Sequence, residues 1–309
     1  MQVGIGIGEI AGPDAGLEAM VEQARAAEAD GFDSAWVANI FGLDAMTAVT
    51  VCARETTTLK LGTAVVPSYP RHPMAMAQQA LSTQVATKGR FTLGIGLSHQ
   101  VVIEGMFGMS YAKSYSHMKE YLQVLMPLVH EGKVSHQGPL YSVNGRLSVR
   151  HPTQLPVVIA ALAPKMLALA GTVADGTVTW MVGPKTLESH TIPRLNEAAA
   201  AAGRPTPKVV VGLPVAVTDD VEAARAKAAR GFQTYGMLPS YRAMLDREGA
   251  KGPADVAIVG DADAVGEQLG KLAEIGVTDF QAVPFPVGED KPASLARTRE
   301  ALVAYLKSR

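Results

Sequence analysis

The sequence predicts a (β/α)8 barrel, a TIM barrel with insertions, on three observations. Helix-to-strand steps follow one another through the first hundred residues with no hairpin signal between them, which favours parallel strands joined by right-handed crossovers. Eight strand candidates can be counted, near residues 2, 32, 59, 90, 156, 176, 208 and 279. A doubly wound sheet has the same periodicity. Its phosphate fingerprint is missing, however: Gly4, Gly6 and Gly8 are evenly spaced, and Gly94 and Gly96 lack a third glycine three residues on.

The elements follow in order. "VGIGIGE" is an apolar strand ending in small residues, and "LEAMVEQARAAEADGF" carries apolar positions at helical spacing, with Gly31 where a helix stops. "FDSAWVA" is the next strand. The step repeats as "LDAMTAVTVCARET" before "LKLGTAVV", and as "MAMAQQALSTQVATKG" before "RFTLGIGL". "VSHQGPLYSVNGRLSVRHP", residues 134–152, alternates polar and apolar residues around a turn-like "VNG" and predicts an inserted hairpin. Strand "LPVVIAAL" then leads into helix "PKMLALAGTVA", with Pro164 in its first turn, and strand "DGTVTWMV" into a helix kinked or broken at Pro193. Strand "KVVVGLPVAV", helical segments to about residue 249, helix "DADAVGEQLGKLAEIG", strand "DFQAVPF" and a helix after Pro292 complete the series. No linker divides the chain, so residues 1–309 are expected to form a single domain.

Composition narrows the function. Apolar residues make up 48% of the chain, charged residues 18%, and the formal net charge is -1, so the broad basic field that nucleic acid needs is missing. The first residues have neither a basic region nor a continuous apolar run, and the apolar runs elsewhere are far shorter than the roughly 20 residues that cross a bilayer. A soluble, cytoplasmic protein with no membrane partner is expected. A lone cysteine, Cys52, excludes an internal disulfide and a cysteine zinc site, and reads as a small core filler. The seven histidines form no H-x-x-x-H pair, so no metal site is expected, and no G-x-S-x-G elbow occurs.

Five stretches in one order, "GIGIGE", "AEADGFDSAWVANIFGLDAMTA", "LGTAVVPSYPRHPMAMAQQALSTQVATKGRFTLGIGLSHQ", "APKMLALAGTVADGTV" and "VGDADAVGEQLGKLAEIGVTDF", resemble the luciferase-like monooxygenase superfamily. Within it they look most like the oxidoreductases that use the deazaflavin coenzyme F420. The resemblance implies hydride transfer between F420 and a small organic substrate, in a homodimer. FMN-dependent monooxygenation is the alternative, and a cofactor-binding paralogue without turnover is the second alternative.

The resemblance also implies sites. A bulge on the third strand with a cis bond between Ala64 and Val65 would prop the cofactor ring, beside the small strand-end residues Gly6 and Gly96. Ser98, His99, Gln100 and Val101 match the loop that holds the cofactor phosphate, and Ala160, Ala161, Leu162, Ala163 and Lys165 match a second cofactor segment. Arg71 and His72 would attract an acidic cofactor tail. Where many members carry an acid or histidine at the second strand end, this chain has Asn39 and Ile40; Asn39 bonds a ring edge but exchanges no proton near neutral pH. Glu9 is the remaining titratable candidate for catalysis. Met106, Phe107 and Trp180 would line the substrate pocket, with Met109, Met237 and Met244 adding an adaptable apolar surface.

Overall fold

Twelve strands occur among the residues described by the computed structural model, which are 1–11, 16–150 and 153–309. They are β1 (Gln2–Ile7), β2 (Ser34–Val37), β3 (Lys60–Thr63), β4 (Val66–Pro67), β5 (Phe91–Gly96), β6 (Lys133–Gln137), β7 (Ser142–Arg146), β8 (Val157–Ala160), β9 (Gly176–Trp180), β10 (Lys208–Val217), β11 (Ile258–Gly260) and β12 (Asp279–Pro284). Eight of them, in the order β1, β2, β3, β5, β8, β9, β10, β12 and back to β1, pair in parallel and close the barrel. All eight predicted strands are therefore present. β11, which was not predicted, extends the sheet beside the last residues of β10.

Period-2 alternation sorts the side chains into two cores. Ile5, Val37, Leu61, Leu93, Ile159, Val211 and Phe280 face the helices and belong to the large outer core, where Cys52 is also fully buried, its thiol pushed up to about 11 by burial. Inside the barrel the core is small: Trp36, Val158, Val178 and Val210, with Ala64 and Val65 against them. Trp36 donates its indole N–H to Ser34 Oγ at 2.9 Å. Its ring occupies the space a side chain at Gly62 would need, since a Cβ there would stand 2.3 Å from Trp36 Cζ3. The glycine-rich strands are thus explained by the bulky neighbours they admit.

Three elements differ from expectation. The hairpin is β6–β7, and its turn lies at Gly138–Tyr141, whereas Val143, Asn144 and Gly145 sit within the ladder opposite His136, Ser135 and Val134. Residues 151–152 of the predicted hairpin lie outside the described residues. The long helix Ser114–Glu131, buried along Met118, Tyr121, Leu122 and Leu125, occupies a segment where no helix was predicted. At Pro193 the helix does not break; a wide turn over Leu187–Thr191 runs directly into Ile192–Ala201. A proline cannot donate to the preceding turn, and widening accommodates it.

Candidate active site

A cavity of about 720 Å³ opens where the barrel strands end. The segment after β2 contributes Ala38, Asn39, Ile40 and Phe41; the third-strand region contributes Ala64, Val65, Pro67 and Arg71. The segment after β5 contributes Ser98, His99, Val102 and Phe107, β8 and the residues after it Ala160 and Leu162, and β9 Val178, Thr179 and Trp180. Tyr235, Leu238 and Tyr241 form a cover, and Gln281 of β12 completes the lining. A smaller depression of about 320 Å³ beside β11 contains Glu248 and Asp255, whose carboxylates accept from backbone N–H groups of Lys185, Thr186, Lys251 and Gly252. Those acids hold loops together.

The wall at the third strand is built around a bulge. Gly62 pairs with Thr92 and Val66 with Ile95, so Thr63, Ala64 and Val65 stand opposite only Leu93 and Gly94. The Ala64–Val65 peptide bond is cis. Thr63 repairs the interrupted ladder: its hydroxyl donates to Gly94 O and accepts from Gly94 N, both at 2.9 Å. Behind the bulge, buried Ser68 bonds His117 Nε2 at 2.9 Å, and the His117 ring stacks on Tyr69 at 3.9 Å with 5° between planes. Burial drives the His117 pKa down to about 4, with Glu120 opposing weakly. Tyr121 donates to Arg71 O at 3.1 Å, and Asp44 pairs with the Arg71 guanidinium at the cavity edge.

At the next strand end, Ser98 has φ 59°, a left-handed conformation that turns the chain into the short helix Gln100–Gly105. Tyr111 holds this turn by donating to Ser98 O at 3.1 Å. The N–H groups of Gln100 and Val101 make no hydrogen bond among the described residues. His99 faces Tyr241 with ring centres 5.8 Å apart, and burial lowers its pKa, so the imidazole is neutral at pH 7.

The structure brings many of the predicted site residues together and leaves others apart. Asn39, Ala64, Val65, Ser98, His99, Phe107, Ala160, Leu162, Trp180 and Arg71 all line the cavity. Glu9 does not; its carboxylate accepts from Phe41 N at 3.3 Å and holds the loop after β2. Asn39 is anchored through Oδ1, which accepts from Ala45 N at 3.0 Å, leaving Nδ2 available to donate. Gly6 and Gly96 serve protein packing: a Cβ would meet Ile10 Cγ2 at 3.0 Å in the first case and Val65 Cγ2 at 2.6 Å in the second. Ala161 is buried in the outer core, Ala163 and Lys165 are exposed, and His72 caps the helix Pro73–Ala86 by accepting from Met74 N. Gln100, Val101 and Met106 are exposed outside the lining, as are Met109 and Met237, while Met244 is buried in the outer core. The expected methionine lining is therefore replaced by aromatic rings and small residues. Residues 12–15 of the loop after β1 lie outside the described residues.

The model of the family described as luciferase-like monooxygenase matches residues 4–279. The chain belongs to that family. Among similar members, the 5,10-methylenetetrahydromethanopterin reductase of Methanolobus tindarius is 30% identical over 281 residues, covering 90% of this chain and 85% of the relative. The coenzyme F420-dependent tetrahydromethanopterin reductase of Methanopyrus kandleri superposes with a TM-score of 0.81 at 21% identity, over 99% of both chains. The oxygenating constituent of 3,6-diketocamphane monooxygenase from Pseudomonas putida, solved with FMN, superposes with a TM-score of 0.76 at 18% identity, over 100% of this chain and 99% of the other. Both solved structures share this chain's backbone plan over nearly its whole length.

Among the described residues no group of histidine, cysteine or acidic side chains is arranged to hold a metal, and no helix is long and apolar enough to cross a membrane. Sequence reasoning missed Gln281. An amide in the apolar strand "DFQAVPF", in step with Val283 across the pleat, was the signal available.

Proposed function

We propose that this protein is an F420-dependent oxidoreductase of the luciferase-like class, transferring a hydride between coenzyme F420 and a small organic substrate. The cavity carries the reading. Its volume of about 720 Å³ falls within the range of cofactor and ligand sites, roughly 300–1,000 Å³. Its residues suit a flat, polar-edged heterocycle: an apolar back at Ala64 and Val65, small Ala160 at the side, and donors on Ser98 and His99. The similarity to a methylenetetrahydromethanopterin reductase, and the shared fold with a reductase described as F420-dependent, favour the deazaflavin.

When bound, F420 supplies the hydride chemistry, and the protein contributes orientation and a dry environment. Ala64 and Val65 support one face of the ring. Asn39 donates through Nδ2, and Arg71, held by Asp44, offers the anion contact. Phe107 and Trp180 border the substrate space. Burial lowers the pKa of His99 in the lining, and in its neutral form the imidazole can accept a proton through a ring nitrogen. Glu9 accepts from Phe41 N beside the cavity and is absent from its lining, so it is assigned no proton transfer. The single-domain protein is proposed to act as a cytoplasmic homodimer without nucleic acid, and sedimentation velocity would test its oligomeric state.

Parallel absorbance titrations of the ligand-free protein with F420 and FMN test the reading. Saturable binding of F420, followed by its oxidation or reduction with a panel of alcohols, ketones and cyclic imines, is the expected result. Tight FMN binding with no F420 binding would replace it by FMN-dependent monooxygenation. F420 binding without turnover over the whole panel would leave a cofactor-binding paralogue.

A further inference from the structure

We infer that Gln281 is the specificity-determining contact for a polar oxygen- or nitrogen-bearing group on the substrate, a carbonyl, alcohol or lactam that enters the barrel floor. This deepens the proposed function by naming the chemistry of its substrate, and rests on that reading only in calling the ligand a substrate. Gln281 is 2% exposed, yet it lines the cavity, and its side-chain amide makes no hydrogen bond among the described residues. Buried amides are almost always paired, so an orphan facing a cavity calls for an explanation.

The neighbouring strands are shaped to hold the amide where it is. In register, Gln281 lies between Gly4 of β1 and Gly212 of β10. A Cβ at Gly6 would stand 3.4 Å from Nε2, and one at Gly212 would stand 3.3 Å from Oε1. Glycine thus flanks both ends of the amide, and no protein hydroxyl, carboxylate or carbonyl is supplied to satisfy it. A carboxamide carries one donor end and one acceptor end, so it fits an uncharged group with either capacity. It also selects against a hydrocarbon of the same shape, which would leave the amide buried and unpaired.

The test compares wild type with Gln281→Met, which is close in size and apolar, and Gln281→Glu, which keeps acceptors and loses the donor. The probes are cyclohexanone, N-methylpyrrolidone and, as the apolar control, methylcyclohexane. In a 1H–15N spectrum the Gln281 side-chain amide pair, identified by its loss in Gln281→Met, is expected to shift on titration with the two carbonyl probes and not with the control. Dissociation constants for those probes should weaken about tenfold in Gln281→Met, the factor one net hydrogen bond carries. Gln281→Glu should weaken them at least as much. F420 affinity, read by absorbance, is expected to stay within twofold in Gln281→Met. An unmoved amide pair, equal probe affinities in wild type and Gln281→Met, or a ligand-free melting temperature that falls by several degrees in Gln281→Met would overturn the inference, the last by revealing a structural role. Loss of F420 binding by all three proteins alike, with the probe effects intact, would instead remove the F420 reading and leave Gln281 as a polar-ligand contact.

Discussion

Two walls of the cavity face each other. At the third strand, Thr63 bonds both backbone groups of Gly94, Ser68 bonds His117, Asn39 bonds Ala45 and Arg71 pairs with Asp44. On the side of β9 to β12 and β1, Gln281 Nε2 and Trp180 Nε1 are buried without a partner, and Gly6 and Gly212 flank the Gln281 amide. A wall most of whose polar side chains are already anchored to protein is rigid before any ligand arrives, as the support of a cofactor ring should be. A wall with an orphan amide is completed by what binds. Cofactor support and substrate contact thus fall on opposite walls, one anchored by protein hydrogen bonds and the other not.

The sharpest way to break the comparison is to add one methyl group to each side. A Cβ at Gly94 would lie 1.9 Å from the backbone oxygen of Thr63, and neither backbone yields cheaply. Gly94→Ala should therefore cost at least about 3 kcal/mol in urea unfolding, or prevent soluble accumulation. Gly212→Ala meets the Trp180 ring at 3.0 Å, Gln281 Oε1 at 3.3 Å and Thr179 O at 3.4 Å, contacts that a shift of a few tenths of an ångström relieves. It should cost less than about 1 kcal/mol. Equal losses would show that the two walls are equally rigid.

The next effect lies in pH. His117 titrates at about 4 in the folded protein and near 6.5 without burial, so folding holds the neutral form. Stability from this group is complete above pH 6.5 and is lost as the pH falls through 4, by at most about 3.4 kcal/mol at 1.36 kcal/mol per unit. His117→Phe keeps a ring to stack on Tyr69 and leaves Ser68 unpaired, so it should lower stability at pH 8 by about 1–3 kcal/mol. Its loss between pH 6.5 and pH 4 should be shallower than that of wild type. Parallel slopes in chemical unfolding would mean that His117 does not titrate as the braced wall requires.

The sequence disclosed one side of this arrangement better than the other. Barrel strands were readable because each is an apolar run following a helical pattern, and the bulge because "LGTAVVPSYP" resembles a family segment. The hairpin turn was misplaced because Asn144-Gly145 is a strong local turn signal. A distant group overrode it: Glu120 accepts from Leu140 N at 3.0 Å and Tyr141 N at 2.7 Å, fixing the turn four residues earlier in the ladder. The strand pattern marks Gln281 as an amide among apolar residues, but its unpaired state was unreadable for the same reason. Whether a lone amide in an apolar strand is paired depends on which residues of β1 and β10 stand beside it, here glycines far away in sequence.

A smaller effect is expected at Asn39, which belongs to the braced side. Asn39→Ala removes the acceptor for Ala45 N at the start of the helix Ala45–Arg54 and should cost about 1 kcal/mol in thermal or urea unfolding. F420 affinity should weaken by a few-fold, since Nδ2 is lost as well. A change in stability with unaltered F420 affinity would confine Asn39 to holding the helix.

The smallest effect separates the two residues first considered for catalysis. Glu9 lies outside the cavity lining, and its contact with Phe41 N is long, at 3.3 Å, and exposed. An exposed hydrogen bond of that kind exchanges for one to water at little cost, and Glu9→Gln keeps an oxygen able to accept it. Stability is expected to stay within about 0.5 kcal/mol, and F420 affinity and turnover within twofold. A tenfold loss of turnover with unchanged F420 affinity would place the Glu9 carboxylate in the chemistry, which would require the Phe41 loop to release it when substrate binds.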